Sequence, residues 1–510
     1  MIVIYHNTSH TTQIVIDHTS QDDFASMPVA KACFLLANRF PDHWIIWCDT
    51  QYKEQFDQER LTPHLKHKRI MISQSVDNMQ YLNAHFGYIE ENPFIKINPD
   101  VPYPTWFMST SVGGMHSSLL QAIKGDMPEH LNFDYFLNSL AKQLQPQGVF
   151  CYQIPDLLSQ KTIQKTSGLS NAQLFRFVKT HYKTQWVFFL FVALLIYEKQ
   201  FAVFALLKSL GYKKRVIQPN LTRLPVDEVD VMIKNETVDV IIPTMGREKY
   251  LYDVLKDLAK QTVLPKQVII VEQNGDPEST TALLYIKDES WPFKIEHQFI
   301  HQTGACNARN LAIAKTTGDW VFLADDDNRL PENTIQKALV YLKAYQAKAL
   351  TTSYLQEGEK QVFNIPKQWT TFGSGNSFVA GDIARKTHFD IGYEHGYGED
   401  TDYGMQLRNQ GVDILYHPDI NLLHLKAPVG GFRKPVKHAW SHELIQPKPS
   451  PTVMLYRLRH TTKEQLKGYK LRLFLRQFIA AKTMNIPKFI GQFKSRWNRS
   501  VHWANHLDTL

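Results

Sequence analysis

Val321-Phe322-Leu323-Ala324-Asp325-Asp326-Asp327-Asn328-Arg329 runs from four apolar residues straight into three carboxylates. The apolar part follows the turn pair Gly318-Asp319 and predicts a short buried strand, so the acids stand where that strand ends. Adjacent carboxylates repel one another, and the arrangement calls for a cation. In an open α/β sheet ligands bind outside the carboxyl ends of the strands. Oxygen-only ligands there suit a hard divalent ion, Mg²⁺ or Mn²⁺, shared with substrate phosphates. The same residues also fit a solvated acidic turn, since Pro331-Glu332-Asn333-Thr334 reads as a helix start. The surrounding chain decides between these readings.

Upstream, Val238-Asp239-Val240-Ile241-Ile242-Pro243-Thr244 reads as a strand ended by proline, and Leu251, Val254, Leu255 and Leu258 follow at helical spacing. Gln267-Val268-Ile269-Ile270-Val271-Glu272 is a second strand ended by an acid. Gly304-Ala305-Cys306-Asn307-Ala308-Arg309-Asn310 leads into a helix over Leu311–Lys315, and the acidic strand comes next. Alternating strands and helices with polar groups at each strand end make a nucleotide-binding crevice.

These residues resemble glycosyltransferase family 2, which has the GT-A fold. The resemblance is carried by Ile242-Pro243-Thr244, Gln261-Thr262 with Pro265, Val268–Glu272, Gly304–Asn310, the acidic triplet in the place of a D-x-D motif, and Gly398-Glu399-Asp400-Thr401-Asp402 with Leu407 and Gly411. It spans roughly residues 238–430. It implies a doubly wound mixed sheet and donor contacts from Pro243, Thr244, Arg247, Glu272, Arg309, Asn310, Asp325 and Asp326. It further implies a divalent ion, Mn²⁺ or Mg²⁺, on Asp325, Asp327 and His424, and Asp400 as general base with Glu399 in support. Glu272-Gln273-Asn274 stands where many relatives have two aspartates, which leaves the nucleotide open. The implied partners are a nucleotide-sugar donor and a glycan or lipid-linked glycan acceptor. The chemistry suits the residue types: a cation and an arginine stabilise a departing diphosphate, and a carboxylate takes the proton of the attacking hydroxyl.

Blander readings stand beside these. His424 between leucines also fits a core histidine, Glu399-Asp400 also fit the acidic first turn of a helix, and Phe372–Ser377 is an acceptor-side loop or a turn. Pro428–Arg433 resembles a glycine-hinged lid. A nucleotidyltransferase and a non-catalytic domain of the same fold also fit the sequence; the first would need no base like Asp400.

At 510 residues the chain has room for several domains. Residues 1–215 alternate apolar runs (Ile2–Tyr5, Gln13–Ile16, Trp44–Trp47, Thr105–Met108, Gly148–Tyr152) with helical patterns (Ala30–Arg39, Phe133–Gln143), which predicts a second α/β domain with a largely parallel sheet. Its role is open. Ser109-Thr110-Ser111-Val112-Gly113-Gly114 reads as a tight turn, lacking the spacing of a dinucleotide or P-loop motif. Thr184–Leu210 is the most apolar stretch, too short for a membrane span and flanked by lysines, so a buried or interfacial helix is expected. Residues 216–236 read as a linker, 237–430 as the GT-A domain, and 431–510 as a basic helical region.

The net charge of +8 is not spread evenly. From Pro451 to Leu510 there are twelve Lys or Arg against Glu464 and Asp508, a local +10 that leaves the rest near neutral. Basic amphipathic helices of this kind suit an anionic membrane surface or a cap packed on the enzyme, and no nucleic-acid motif accompanies them. Cys33, Cys48, Cys151 and Cys306 have no metal or disulfide spacing, and the start lacks the pattern of a signal peptide. The expected setting is the cytoplasm, with the inner face of the cell membrane as the place of any peripheral attachment.

Overall fold

The computed structural model describes residues 1–21, 26–75, 82–123, 132–159, 169–221, 224–226, 236–428, 436–482 and 485–509. The chain forms two compact units, Met1–Asp227 with Thr461–Arg476, and Glu228–His460 with Gln477–Leu510. The expected linker brackets this boundary, whereas the basic region 431–510 is divided between the units.

The first unit is an eight-stranded sheet in the order β3-β2-β1-β4-β7-β5-β8-β6. Its strands are β1 (Ile2–His6), β2 (Thr11–Ile16), β3 (Thr19–Gln21), β4 (Trp44–Asp49), β5 (Ile70–Gln74), β6 (Tyr103–Pro104), β7 (Val112–His116) and β8 (Phe150–Gln153). Only β1–β4 and β5–β8 pair in parallel, so the sheet is mixed rather than largely parallel. Thr105–Met108 is not a strand. Nor is Ser109–Gly114 a turn: Val112, Gly113 and Gly114 belong to β7, fully buried, and a Cβ on Gly113 would stand 2.4 Å from both the Trp47 ring and the Ile72 carbonyl. Glycine is there for close approach of a neighbouring side chain, the reverse of an open loop. Thr184–Leu210 becomes two helices, Gln185–Ala193 and Val203–Leu210, joined through a π-turn at Leu194–Glu198 and a left-handed Lys199.

The second unit holds a nine-stranded sheet. Its strands are β9 (Val238–Thr244), β10 (Gln267–Gln273), β11 (Lys294–Ile300), β12 (Trp320–Ala324), β13 (Asn328–Arg329), β14 (Ala349–Leu355), β15 (Lys367–Gln368), β16 (Asn376–Ala380) and β17 (Ile414–His424). The order is β11-β10-β9-β12-β16-β14-β17-β13, with β15 also on β17. β11, β10, β9 and β12 run parallel, as their crossover helices require. Helix Glu248–Ala259 buries Leu251, Val254, Leu255 and Leu258, and helix Ala305–Ile313 enters β12 from the other crossover. β16 then pairs antiparallel with β12, and Phe322 stacks on Phe378 at 4.2 Å. That reversal opens the sheet's rim just where the acids follow β12. In the tail, helix Ile486–Leu507 buries Phe489, Phe493, Trp497, Ser500 and Ala504 on one side and leaves Lys488, Lys494 and Arg499 in water.

The two sheets share a frame. β1-β4-β7-β5-β8-β6 repeats the order and the strand senses of β9-β12-β16-β14-β17-β15. The register repeats too. Asp49 N donates to the Ser111 carbonyl at 2.8 Å and Asp325 N to that of Gly375 at 3.2 Å; Thr105 N donates to Cys151 and Trp369 N to Ile414, both at 2.9 Å. Trp44 opens β4 as Trp320 opens β12, and the residue as far before Trp44 as Arg309 lies before Trp320 is Cys33. A half-buried acid accepts from the segment before the middle strand in each, Asp134 from Thr110 and Asp400 from Ser374.

Candidate active site

A cavity of about 860 Å³ opens at the carboxyl ends of β9, β10 and β12. It is lined by Pro243, Thr244, Arg247, Arg309, Asp325, Asp326, Asp327 and His424 among the expected residues, together with Gln273, Asn274 and Asp276. The three acids meet three different fates because successive residues at a strand end point in different directions.

Asp326 turns inward, 3% exposed, and accepts from Thr244 Oγ1 and Arg247 Nη1, both at 2.7 Å. Burial pushes its carboxyl up to about 6, with Arg247 and Thr244 pulling the other way. It therefore tethers Arg247 in the cavity wall. Asp327 is 2% exposed, accepts from Ala427 N at 2.9 Å through Oδ2, and lies 3.3 Å from Arg247 through the same oxygen. Burial raises its carboxyl, but His424, the Ala427 amide and Arg247 outweigh that and hold it below the usual range. Its Oδ1 is buried without a hydrogen-bond partner, and His424 Nε2 stands 3.6 Å from it.

Asp325 faces the other way. Its Oδ1 lies 3.3 Å from Arg309 Nη2 and its Oδ2 accepts from Tyr354 at 3.1 Å. The Tyr354 ring stacks on His424 at 4.5 Å, so one side chain orients both an acid and the histidine. Of the three expected metal ligands, Asp327 and His424 come together while Asp325 is turned away by its own cation. Among the described residues no three His, Cys, Asp or Glu stand close enough to hold a metal ion unaided. Gly375 is pressed against Asp325, where a Cβ would come within 1.9 Å of Oδ2. Gly375→Ala is expected to destabilise the fold by about 1–3 kcal/mol through overpacking, and to displace Asp325 from Arg309. Urea unfolding of the variant checks this; an unchanged midpoint would show that the site yields freely.

Arg309 is buried, its guanidinium 5.3 Å from the Phe389 ring, with Nε and Nη1 lacking partners. Burial works against its charge, and Asp325, Asp400 and Glu399 overcome this in turn. Glu399 and Asp400 begin helix Glu399–Asn409 behind Gly398, whose φ of +116° favours glycine. Asp400 accepts from the side chain and amide of Ser374, and its Oδ1 is buried without a partner. Burial pushes both carboxyls up, with the charge of Asp400 adding to it for Glu399 and that of Asp325 for Asp400. The helix is braced from the tail by His460, 2.7 Å from Asp402.

Two expected donor residues do other work. Glu272 accepts from Thr281 Oγ1 and Ala282 N and lies 2.9 Å from His297, so its carboxylate organises the loop beyond β10 and the neighbouring Gln273 and Asn274 line the cavity instead. Asn310 bonds both the amide and the carbonyl of Phe389 and fixes the chain there. Glu394, which no pattern in the sequence marks, accepts from the amides of Cys306 and Asn307 at the start of helix Ala305–Ile313. The Pro428–Arg433 lid lies, from Val429 on, outside the described residues.

The profile of "Glycosyl transferase family 2" matches residues 239–399, under half of the chain but the whole rim from β9 to Glu399. The sequence is 22% identical over 125 residues to glycosyltransferase GlyG of Streptococcus pneumoniae serotype 4, covering 24% of this chain and 41% of that protein. It is 28% identical over 114 residues to the poly(ribitol-phosphate) beta-N-acetylglucosaminyltransferase TarS of Staphylococcus aureus, covering 22% of this chain and 20% of that one. The chain thus spans less than half the length of either relative. The crystal structure of S. aureus TarS 1-349 in complex with UDP-GlcNAc superposes with a TM-score of 0.38 and 15% identity over 54% of this chain and 83% of that one. Residues 239–399 are a glycosyl transferase family 2 domain.

Proposed function

We propose that the second unit is an inverting glycosyltransferase that moves a sugar from a nucleotide-sugar onto a hydroxyl of a glycan or glycolipid in surface polysaccharide synthesis. The observation that carries this reading is Arg309, a buried guanidinium that lines the cavity beside Asp325 and feels the charge of Asp400. One side of it suits a departing diphosphate and the other an incoming alcohol. Arg309 Nε and Nη1, unpartnered within the protein, are free to donate to phosphate oxygens. Asp400 Oδ1, likewise unpartnered, accepts the hydroxyl proton while Ser374 holds the other oxygen, and attack from that side inverts the anomeric carbon.

The orphaned Oδ1 of Asp327, with His424 beside it, fits a divalent ion whose remaining ligands come from the donor. When bound, Mn²⁺ or Mg²⁺ would offset charge developing on the diphosphate. The four cysteines are all free and buried, which suits a reducing cytoplasm.

Incubation with a panel of nucleotide-sugars and Mn²⁺, beginning with UDP-GlcNAc, tests the proposal. Release of nucleoside diphosphate supports it; release of pyrophosphate would instead indicate a nucleotidyltransferase, and no release from any donor a non-catalytic domain. Asp327→Ala is expected to weaken donor binding in the presence of Mn²⁺ by about 10–100-fold, the scale on which perturbed metal sites lose affinity. Titration calorimetry with the nucleoside diphosphate, with and without the ion, reads this out. Equal binding by wild type and variant would remove Asp327 from the metal site.

A further inference from the structure

The helical pair of the first unit is seated by one side and bare on the other. Phe204 is 84% exposed, Phe201 69% and Leu207 61%, with Phe188 and Ile196 also open. Phe204 and Leu207 lie one turn apart on helix Val203–Leu210 and point the same way, whereas Leu206 and Ser209 are buried against the unit. Isolated apolar side chains are ordinary on protein surfaces, but several large ones gathered on one helix and the turn before it mark an interaction surface.

Beyond Glu198 the charged residues of this segment have one sign. Lys199, Lys208, Lys213 and Lys214 are exposed, and no acid occurs between Glu198 and Asp227. A second copy of the chain docked there by two-fold symmetry would bring like-charged rims together. An anionic surface with an apolar interior satisfies both the rings and the lysines. No helix among the described residues is long and apolar enough to cross a membrane, so the contact is one of lying in the interface.

We propose that this face docks the first unit on the headgroup–acyl boundary of an anionic bilayer, with Phe201, Phe204 and Leu207 inserted and the lysines on lipid phosphates. The inserted residues lie outside the candidate active site, so attachment and transfer are separable.

Sedimentation of the full chain with vesicles tests this. The chain is expected to pellet with vesicles of phosphatidylcholine mixed with phosphatidylglycerol, and less with phosphatidylcholine alone. Binding should weaken as salt rises. F204E/L207E is expected to lose binding by about tenfold or more, since two large apolar groups no longer insert. Its far-ultraviolet circular dichroism and diphosphate release should be unchanged. K213E/K214E should lose the preference for anionic vesicles while keeping the apolar contact. The proposal is overturned if the wild type stays in the supernatant with both vesicle types, or if F204E/L207E pellets as the wild type does. It is also overturned if F204E/L207E instead dissociates a dimer that vesicles leave untouched.

Discussion

Asp400→Asn is expected to lower turnover by about a thousandfold, within the ~10²–10⁴ that a positioned general base contributes, while donor affinity stays near that of the wild type. Asparagine keeps the side chain's shape and can still accept from Ser374, so the helix start should survive. What it loses is the ability to accept the hydroxyl proton at the position of Oδ1. The pH profile carries a second test. Burial, with the charge of Asp325 beside it, raises the Asp400 carboxyl, so the working, ionised form is depleted as pH falls through that raised range. Turnover should fall on the acidic side at a higher pH than an exposed aspartate would give, and Asp400→Asn should flatten the limb. A variant with full activity would move the base elsewhere.

Arg309→Met should be the most damaging single change to the stability of the second unit, about 3–5 kcal/mol, the scale for removing one partner of a buried charge cluster. Methionine fills comparable volume against Phe389 but leaves Asp325, Asp400 and Glu399 without their shared cation. Asp400 and Glu399, already raised, then carry still higher folded-state pKa values. An acid raised by folding supports the fold below its unfolded pKa and costs stability as pH rises through the folded one. The gap between variant and wild type should therefore narrow in acid and widen towards neutrality. Urea unfolding of the second unit at several pH values would show this, and a gap independent of pH would mean that packing, not charge, is what Arg309 supplies.

The strands carrying the site were the easiest part to read in the sequence. β9, β10 and β12 carry apolar runs, interrupted only by Asp239 near the start of β9, that give way abruptly at Pro243, Glu272 and Asp325, a contrast that a buried strand meeting a rim explains. The acidic triplet was legible as the end of a buried strand but not in its division of labour. Which of Asp325, Asp326 and Asp327 faces Arg309, Thr244 or His424 depends on the backbone path after β12 and on partners up to 100 residues away, such as Ala427. Glu272 ends a strand as a donor ligand would, and the sequence does not show that His297 and Thr281 hold its carboxylate in the folded chain. Tyr354 was hidden because an ordinary strand tyrosine acquires its role only when β14 brings it over His424. Gly113 and Gly114 looked like a turn because local composition cannot show that Trp47 will lie on top of them.

Cys33, on helix Val29–Arg39, stands as far before Trp44 as Arg309, on helix Ala305–Ile313, stands before Trp320, and the amide-to-carbonyl links at the strand ends are the same in both sheets. A scaffold that holds its shape around either a thiol or a guanidinium does not draw its architecture from the chemistry it hosts. Within a single polypeptide one strand plan is built twice around different side chains, and a comparison of the two halves position by position separates the side chains the plan needs from those it merely carries.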